Sequence, residues 1–174
     1  DSQTQEQLDQ ALLDAAMAGS IAEMQALLDR HADINARSLN TCAPLHFAAW
    51  QGRHQCIELL LDRNADINAV SNSNHGTPLH FAALTGQHRC IELLLDRHAD
   101  IHALDMDGRG ALHFAAWEGH HRCIELLLDR NANIDAVAKN SRSPLHFASS
   151  NGHLQCSEIL IDHCADKYLV DVRD

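Results

Sequence analysis

The segment Cys-Ile-Glu-Leu-Leu-Leu-Asp-Arg occurs three times, starting at Cys56, Cys90 and Cys123, and a weaker copy starts at Cys156. The starts lie 34, 33 and 33 residues apart. A fixed period of this length means a tandem array in which each unit is one supersecondary motif, and it overrides any reading of the chain as a single globule. A second series keeps the same step: Pro44-Leu45-His46-Phe47-Ala48, Pro78-Leu79-His80-Phe81-Ala82, Ala111-Leu112-His113-Phe114-Ala115 and Pro144-Leu145-His146-Phe147-Ala148. All three prolines of the chain fall in this one slot.

Local rules divide each unit into two short helices. Proline suits the first helical position, where no partner for an N–H exists, and Thr77 and Ser143 stand just before it as candidate N-caps. The first helix closes at Gly52, Gly86, Gly119 or Gly152. The second follows the Ile-x-Leu-Leu pattern to Asn64, His98, Asn131 or Cys164, a slot that calls for a left-handed backbone. About a dozen residues of turn composition then lead to the next unit and read as a projecting hairpin. A pair of helices this short cannot bury its apolar face alone, so neighbouring units must stack into a solenoid cored by Leu, Ile, Ala and Cys. An aromatic content of only 4% suits such thin layers.

The pattern T-P-L-H-x-A-A, then G-H, then L-L, then A-D-x-N resembles the ankyrin repeat family, and Thr77-Pro78-Leu79-His80-Phe81-Ala82-Ala83 carries that signature residue for residue. The resemblance spans nearly the whole chain. It implies an all-α solenoid with short β-hairpin loops: one domain over 1–174, with repeats at about 8–34, 35–67, 68–101, 102–134 and 135–167 and a further hairpin beginning at 168–174. The first repeat keeps Ala15, Ala16 and Gly19 but has no hairpin. The hairpin glycine survives only at Gly108, Thr41 and Ser141 being its counterparts, and the third repeat carries one extra residue in Ser71 to Gly76. The chain starts at Asp1 and stops inside a repeat, as an excerpt from a longer protein would.

Fourteen histidines and six cysteines invite a metal site, systematically so in His54-Gln55-Cys56, His88-Arg89-Cys90 and His121-Arg122-Cys123. Residues two apart on a helix point away from each other, whereas zinc needs several ligands converging at about 2.0–2.3 Å. Equivalent cysteines in adjacent repeats stand about a helix-packing distance apart, too far for a disulfide. No metal and no cofactor are therefore expected, and Cys56, Cys90, Cys123 and Cys156 read as reduced core residues, with Cys42 and Cys164 the more reactive thiols. Reduced cysteines point to an intracellular, cytoplasmic or nuclear, setting. The resemblance gives His46, His80, His113 and His146 a structural role, bonding hairpin and helix-start backbone between repeats. No nucleophile, phosphate loop or His-Glu-x-x-His pattern accompanies them, so no enzyme activity is expected.

A net charge of −11 repels a phosphate backbone, and no apolar run approaches the roughly 18–20 residues that a membrane span needs. Nucleic acid and membrane insertion are thus not expected. The acidic columns Glu58, Glu92, Glu125, Glu158 and Asp62, Asp96, Asp129, Asp162 lie beside Arg63, Arg97 and Arg130, and read as a solvated face with ion pairs between repeats.

The resemblance implies a monomeric protein-interaction module, a scaffold, adaptor or inhibitor, that meets a protein partner with its concave face and hairpin tips. Residues that vary among otherwise near-identical repeats are the candidates. On the first helices these are Trp50 and Gln51, Leu84 and Thr85, and Trp117 and Glu118. At the hairpins they are Leu39 and Asn40, Asn74 and His75, Met106, Asp107 and Arg109, and Lys139 and Arg142. Trp50, Leu84 and Trp117 fall in register, either as an exposed stripe for binding or as rings packed against the neighbouring hairpin. A second reading makes the chain a regulatory or targeting segment of a larger enzyme, channel or secreted effector; a third makes it a metal-dependent or redox-sensing solenoid. Resembling ankyrin domains are also substrates of an intracellular asparaginyl hydroxylase, at positions matching Asn35 and Asn68 here.

Overall fold

The computed structural model describes residues 4–39 and 41–171, with side chains described as far as Cys164. Within them the chain forms ten helices and no strand. The helices are α1 (Gln5–Ala18), α2 (Ile21–Asp29), α3 (Pro44–Trp50), α4 (His54–Asp62), α5 (Pro78–Leu84), α6 (His88–Asp96), α7 (Ala111–Glu118), α8 (His121–Asp129), α9 (Pro144–Ser150) and α10 (Leu154–Asp171). Odd-numbered helices pack in one row and even-numbered helices in a second, each packing mainly against its sequence partner and the equivalent helices of adjacent units. This is the all-α solenoid that the repeat pattern demands.

Between the rows runs a continuous apolar column. The Ala-Ala pairs 48–49, 82–83 and 115–116 are fully buried, as are Ile57, Ile91, Ile124 and the leucines Leu60, Leu94, Leu127 and Leu160. Alanine lets the short inner helices approach closely, while each buried Leu or Ile contributes about 1.5–3 kcal/mol. At the N-terminal end α1 is lengthened to 14 residues and opened by a capping box: Thr4 Oγ1 accepts the Gln7 N–H and the Thr4 N–H donates to Gln7 Oε1.

The inner helices are capped by a different device. Neither Thr77 nor Ser143 caps its helix through its own side chain. The imidazole three residues on does so instead: Nδ1 of His46, His80, His113 and His146 accepts the backbone N–H of Ala43, Thr77, Gly110 and Ser143 at 2.9–3.1 Å. The two hydroxyls sit against the same Nδ1 atoms, at 2.9 and 2.8 Å. With Nδ1 accepting, the proton resides on Nε2, which donates to the next unit's hairpin: His46 to the Gly76 carbonyl, His80 to those of Ala103 and Arg109, His113 to that of Ala136. The next unit's phenylalanine closes against each ring edge-on, His46 to Phe81, His80 to Phe114 and His113 to Phe147. Burial holds all three imidazoles below their usual range, His46 down to about 4.

Each projecting loop is closed by a backbone bond, from Ser38 to Cys42, Ser71 to Gly76, Asp105 to Arg109 and Ala138 to Arg142. The span is five residues in the third repeat and four elsewhere, so the extra residue is absorbed inside the loop. The stack is undisturbed: the Asn72 N–H reaches Thr41 Oγ1, the Met106 N–H the Asn74 carbonyl, and the Lys139 N–H that of Asp107. Thr41 (φ 56°) and Ser141 (φ 60°) both occupy the left-handed region that Gly108 fills without strain.

The second helices end at Asn64, His98 and Asn131 with φ of 63°, 68° and 64°. Cys164 departs from this. It stays helical, and α10 continues through Asp171, so 168–171 form helix where a hairpin was expected, and 172–174 lie outside the described residues. A thiol side chain neither relieves the left-handed conformation nor bonds locally as Asn does, so nothing stops the helix there.

Three stability outcomes follow. Replacing Ser141 by Gly removes left-handed strain and raises stability by about 1 kcal/mol, whereas Thr41→Gly gains less because it also deletes the acceptor for Asn72; urea unfolding of the two variants orders them. Gly119→Ala loses more than about 1 kcal/mol in the same assay, since at φ 79° its Cβ would meet His153 Nδ1 at 2.6 Å. The histidines set a pH dependence. With folded values depressed, the unfolded chain binds more protons, so stability is complete above about pH 6.5 and falls as pH drops toward 4. His46 alone accounts for about 3 kcal/mol of that loss, which unfolding curves at stepped pH measure.

Candidate partner-binding surface

The C-terminal ends of the inner helices place Trp50, Leu84 and Trp117 in one register, and the structure gives both tryptophans a double environment. Trp50 packs on Phe81 at 5.5 Å and Trp117 stacks on Phe147 at 5.4 Å and 16°, yet they remain 44% and 38% exposed. Each ring therefore buries one side on the following repeat's inner helix and offers the rest to solvent. Leu84 between them is half-buried against the core, so the apolar surface is two aromatic sites rather than a continuous stripe. Gln51 and Glu118 beside the rings are exposed. Thr85 works inward, its hydroxyl donating to the Trp50 and Phe81 carbonyls. Trp117 is tied from the next repeat, its carbonyl accepting from Asn151 Nδ2 and His153 Nε2, both at 2.8 Å.

At the hairpins the candidates separate into free and committed side chains. Leu39 is fully exposed and Met106 half exposed, while Asn40 lies outside the described residues. Exposed His75 carries a left-handed backbone. Asn74 folds back, its Oδ1 accepting from the Ser71 hydroxyl and the Gly76 N–H. Arg109 is held most firmly. Its Nε and Nη2 donate to Asp105 Oδ2 at 2.9 and 2.7 Å, Asp107 lies 2.8 Å away, and the guanidinium covers the rings of Phe114 and Trp117 at 5.0 and 5.5 Å.

Asp105 is the residue that sequence reasoning missed. Its side chain is wholly buried, and Oδ1 also accepts the backbone N–H groups of Asp107 and Arg109. Ser38, Ser71 and Ala138 hold its slot in the other hairpins, so the one acid in that column was the available signal. Removing one partner of a buried pair costs about 3–5 kcal/mol, so Arg109 belongs to the scaffold before it belongs to any interface.

Between the fourth and fifth repeats these elements frame an open cleft of about 560 Å³, with Trp117 and Phe147 as its floor and Asp107, Arg109, Lys139, Asn140 and Arg142 around it. Lys139 and Arg142 are exposed, and the Arg142 guanidinium stands 5.8 Å above the Phe147 ring.

The opposite face carries the acidic columns. Arg63, Arg97 and Arg130 reach back one repeat to Asp29, Asp62 and Asp96 at 2.8–3.1 Å, an exposed ladder in which each pair contributes less than about 1 kcal/mol. Asn35 and Asn68 are also clamps between repeats: their Oδ1 atoms accept the Asp66 and Asp100 N–H groups at 3.0 and 2.9 Å. Burial raises the thiols of the cysteine column, Cys90 to about 11 and Cys123 to about 12, with neighbouring thiols adding to the effect. Cys42 corrects the expectation of a reactive hairpin thiol. It is buried, and desolvation raises its pKa against the opposing influence of Arg37.

Among the described residues no helix is long and apolar enough to cross a membrane. No curated protein matches the chain. Two family models do: one for ankyrin repeats in three copies matches residues 69–138, and one for ankyrin repeats in many copies matches 12–61 and 118–161. Together with the stacked helix pairs and the imidazole bridges, these matches show that the chain belongs to the ankyrin repeat family.

Proposed function

We propose that this chain binds a protein partner through its inner face, with Trp50 and Trp117 as the anchoring side chains and without catalysis. Ankyrin repeats are generally protein–protein interaction modules; the observation that carries the finer reading is the half-exposed state of the two tryptophans. Large rings fixed on one side and open on the other supply contact area with little entropy left to lose, which is the usual composition of an interaction hot spot. They also stand where otherwise near-identical repeats differ. The repeated histidines support a binder rather than an enzyme, because His46, His80 and His113 engage both ring nitrogens with backbone groups.

The test compares the native chain with a Trp50→Ala, Trp117→Ala variant, first shown by circular dichroism to stay folded, as bait in cell lysate. A partner retained by the native chain and lost, by about tenfold or more in affinity, from the variant supports the inner-face reading. Equal retention of the same partner by both chains overturns it.

A further inference from the structure

The cleft between the fourth and fifth repeats gathers positive charge on a chain that is acidic as a whole. The chain has a net charge of −11, and its outer helices present the acidic columns. Around the cleft the sign reverses: Arg109, Lys139 and Arg142 face a single acid, Asp107. Arg109 is neutralised by Asp105 and Asp107. Among the described residues, Lys139 and Arg142 have no carboxylate within ion-pair distance. Arg37, a cation of another hairpin, instead donates to the Thr41 and Val70 carbonyls.

Two unneutralised cations thus stand over an aromatic floor formed by Trp117 and Phe147. The floor is rigid, because the rings are stacked on each other and Arg109 clamps Trp117 from the hairpin side. The walls are fixed by the bond from the Lys139 N–H to the Asp107 carbonyl at 2.8 Å. A groove with one charge sign over a low-dielectric floor concentrates ligands of the opposite sign, and the acidic columns of the outer helices repel the same ligands.

We infer that this cleft is the docking site for an extended acidic peptide segment, in which an Asp or Glu carboxylate meets Lys139 and Arg142 while an adjacent apolar side chain lies on Trp117. The inference rests on the inner-face reading above and narrows it to one pair of repeats and one partner chemistry. Arg142 supplies a planar fork for the carboxylate, and Lys139 supplies a mobile point charge beside it.

The experiment pans a phage-displayed library of random short peptides on the whole chain, then measures enriched peptides by fluorescence anisotropy. Native chain, Lys139→Glu with Arg142→Glu, and Trp50→Ala are compared. Both charged side chains are exposed and make no ion pair, and thermal unfolding verifies that reversing them, with loss of the Arg142–Phe147 contact, leaves the stack intact. The expected result is enrichment of Asp or Glu next to an aromatic or aliphatic residue. Affinity then falls about tenfold or more on charge reversal and with added salt, and is unchanged in Trp50→Ala. Peptides that lose affinity in Trp50→Ala but not on charge reversal overturn this inference and leave the inner-face reading standing. Peptides that respond to neither change overturn this inference. Enrichment without acidic residues, or no enrichment, overturns the acidic-segment assignment, as does salt-sensitive self-association abolished by the charge reversal, which would make a second copy of the chain the occupant.

Discussion

Every inner helix after the first begins on an imidazole. The histidine at its third position closes the helix start with Nδ1 and, in the second to fourth repeats, secures the following hairpin with Nε2. One side chain therefore sets the conformation of its own repeat and the docking of the next. Helices of seven to nine residues are too short to be stable alone, so this coupling and the apolar column behind it turn independent fragments into one object. The cost is that the bridging imidazoles must stay neutral; burial is the main cause that keeps them so, with Arg37 and Arg109 adding to it.

The candidate recognition surface depends on that coupling in a direct way. Phe81 and Phe147, which pack against the bridging histidines, are the same rings on which Trp50 and Trp117 rest. A displacement of one repeat would therefore tilt a tryptophan as well as break a bridge. The fourth hairpin adds a second anchor, since the buried Asp105 carboxylate fixes Arg109 over Trp117. Scaffold and candidate interface share atoms, which holds the exposed rings in one geometry before any partner arrives.

Much of this was legible because repetition acts as an internal comparison. The period, the proline slot, the helix-closing glycines and the left-handed positions at Asn64, His98 and Asn131 all follow from residues that recur at one spacing. The same reasoning assigns Cys164 to the last column, and there the local chemistry prevails: where the other repeats have Asn or His in the left-handed region, Cys stays helical and the helix continues. Thr77 and Ser143 looked like caps for a sound local reason, but the imidazole three residues on has two nitrogens and reaches farther. Cys42 shows the opposite failure. Its position in a hairpin suggested exposure, whereas the stacked loops bury it.

The sequence by itself determined the architecture, because a strict period of short amphipathic units has only one way to remove its apolar faces from water, and that is to stack. It also determined the recurrent scaffold positions, since identity across repeats marks what every layer must do, but not the Asp105–Arg109 pair, which occurs in one hairpin alone. Only the tertiary structure decided how the variable residues are used. How far a tryptophan is buried depends on a ring of the following repeat, and whether an arginine is paired and whether Asp105 faces solvent or the core depend on how a hairpin folds back on itself and over its inner helix; those distances exist only once the layers are assembled.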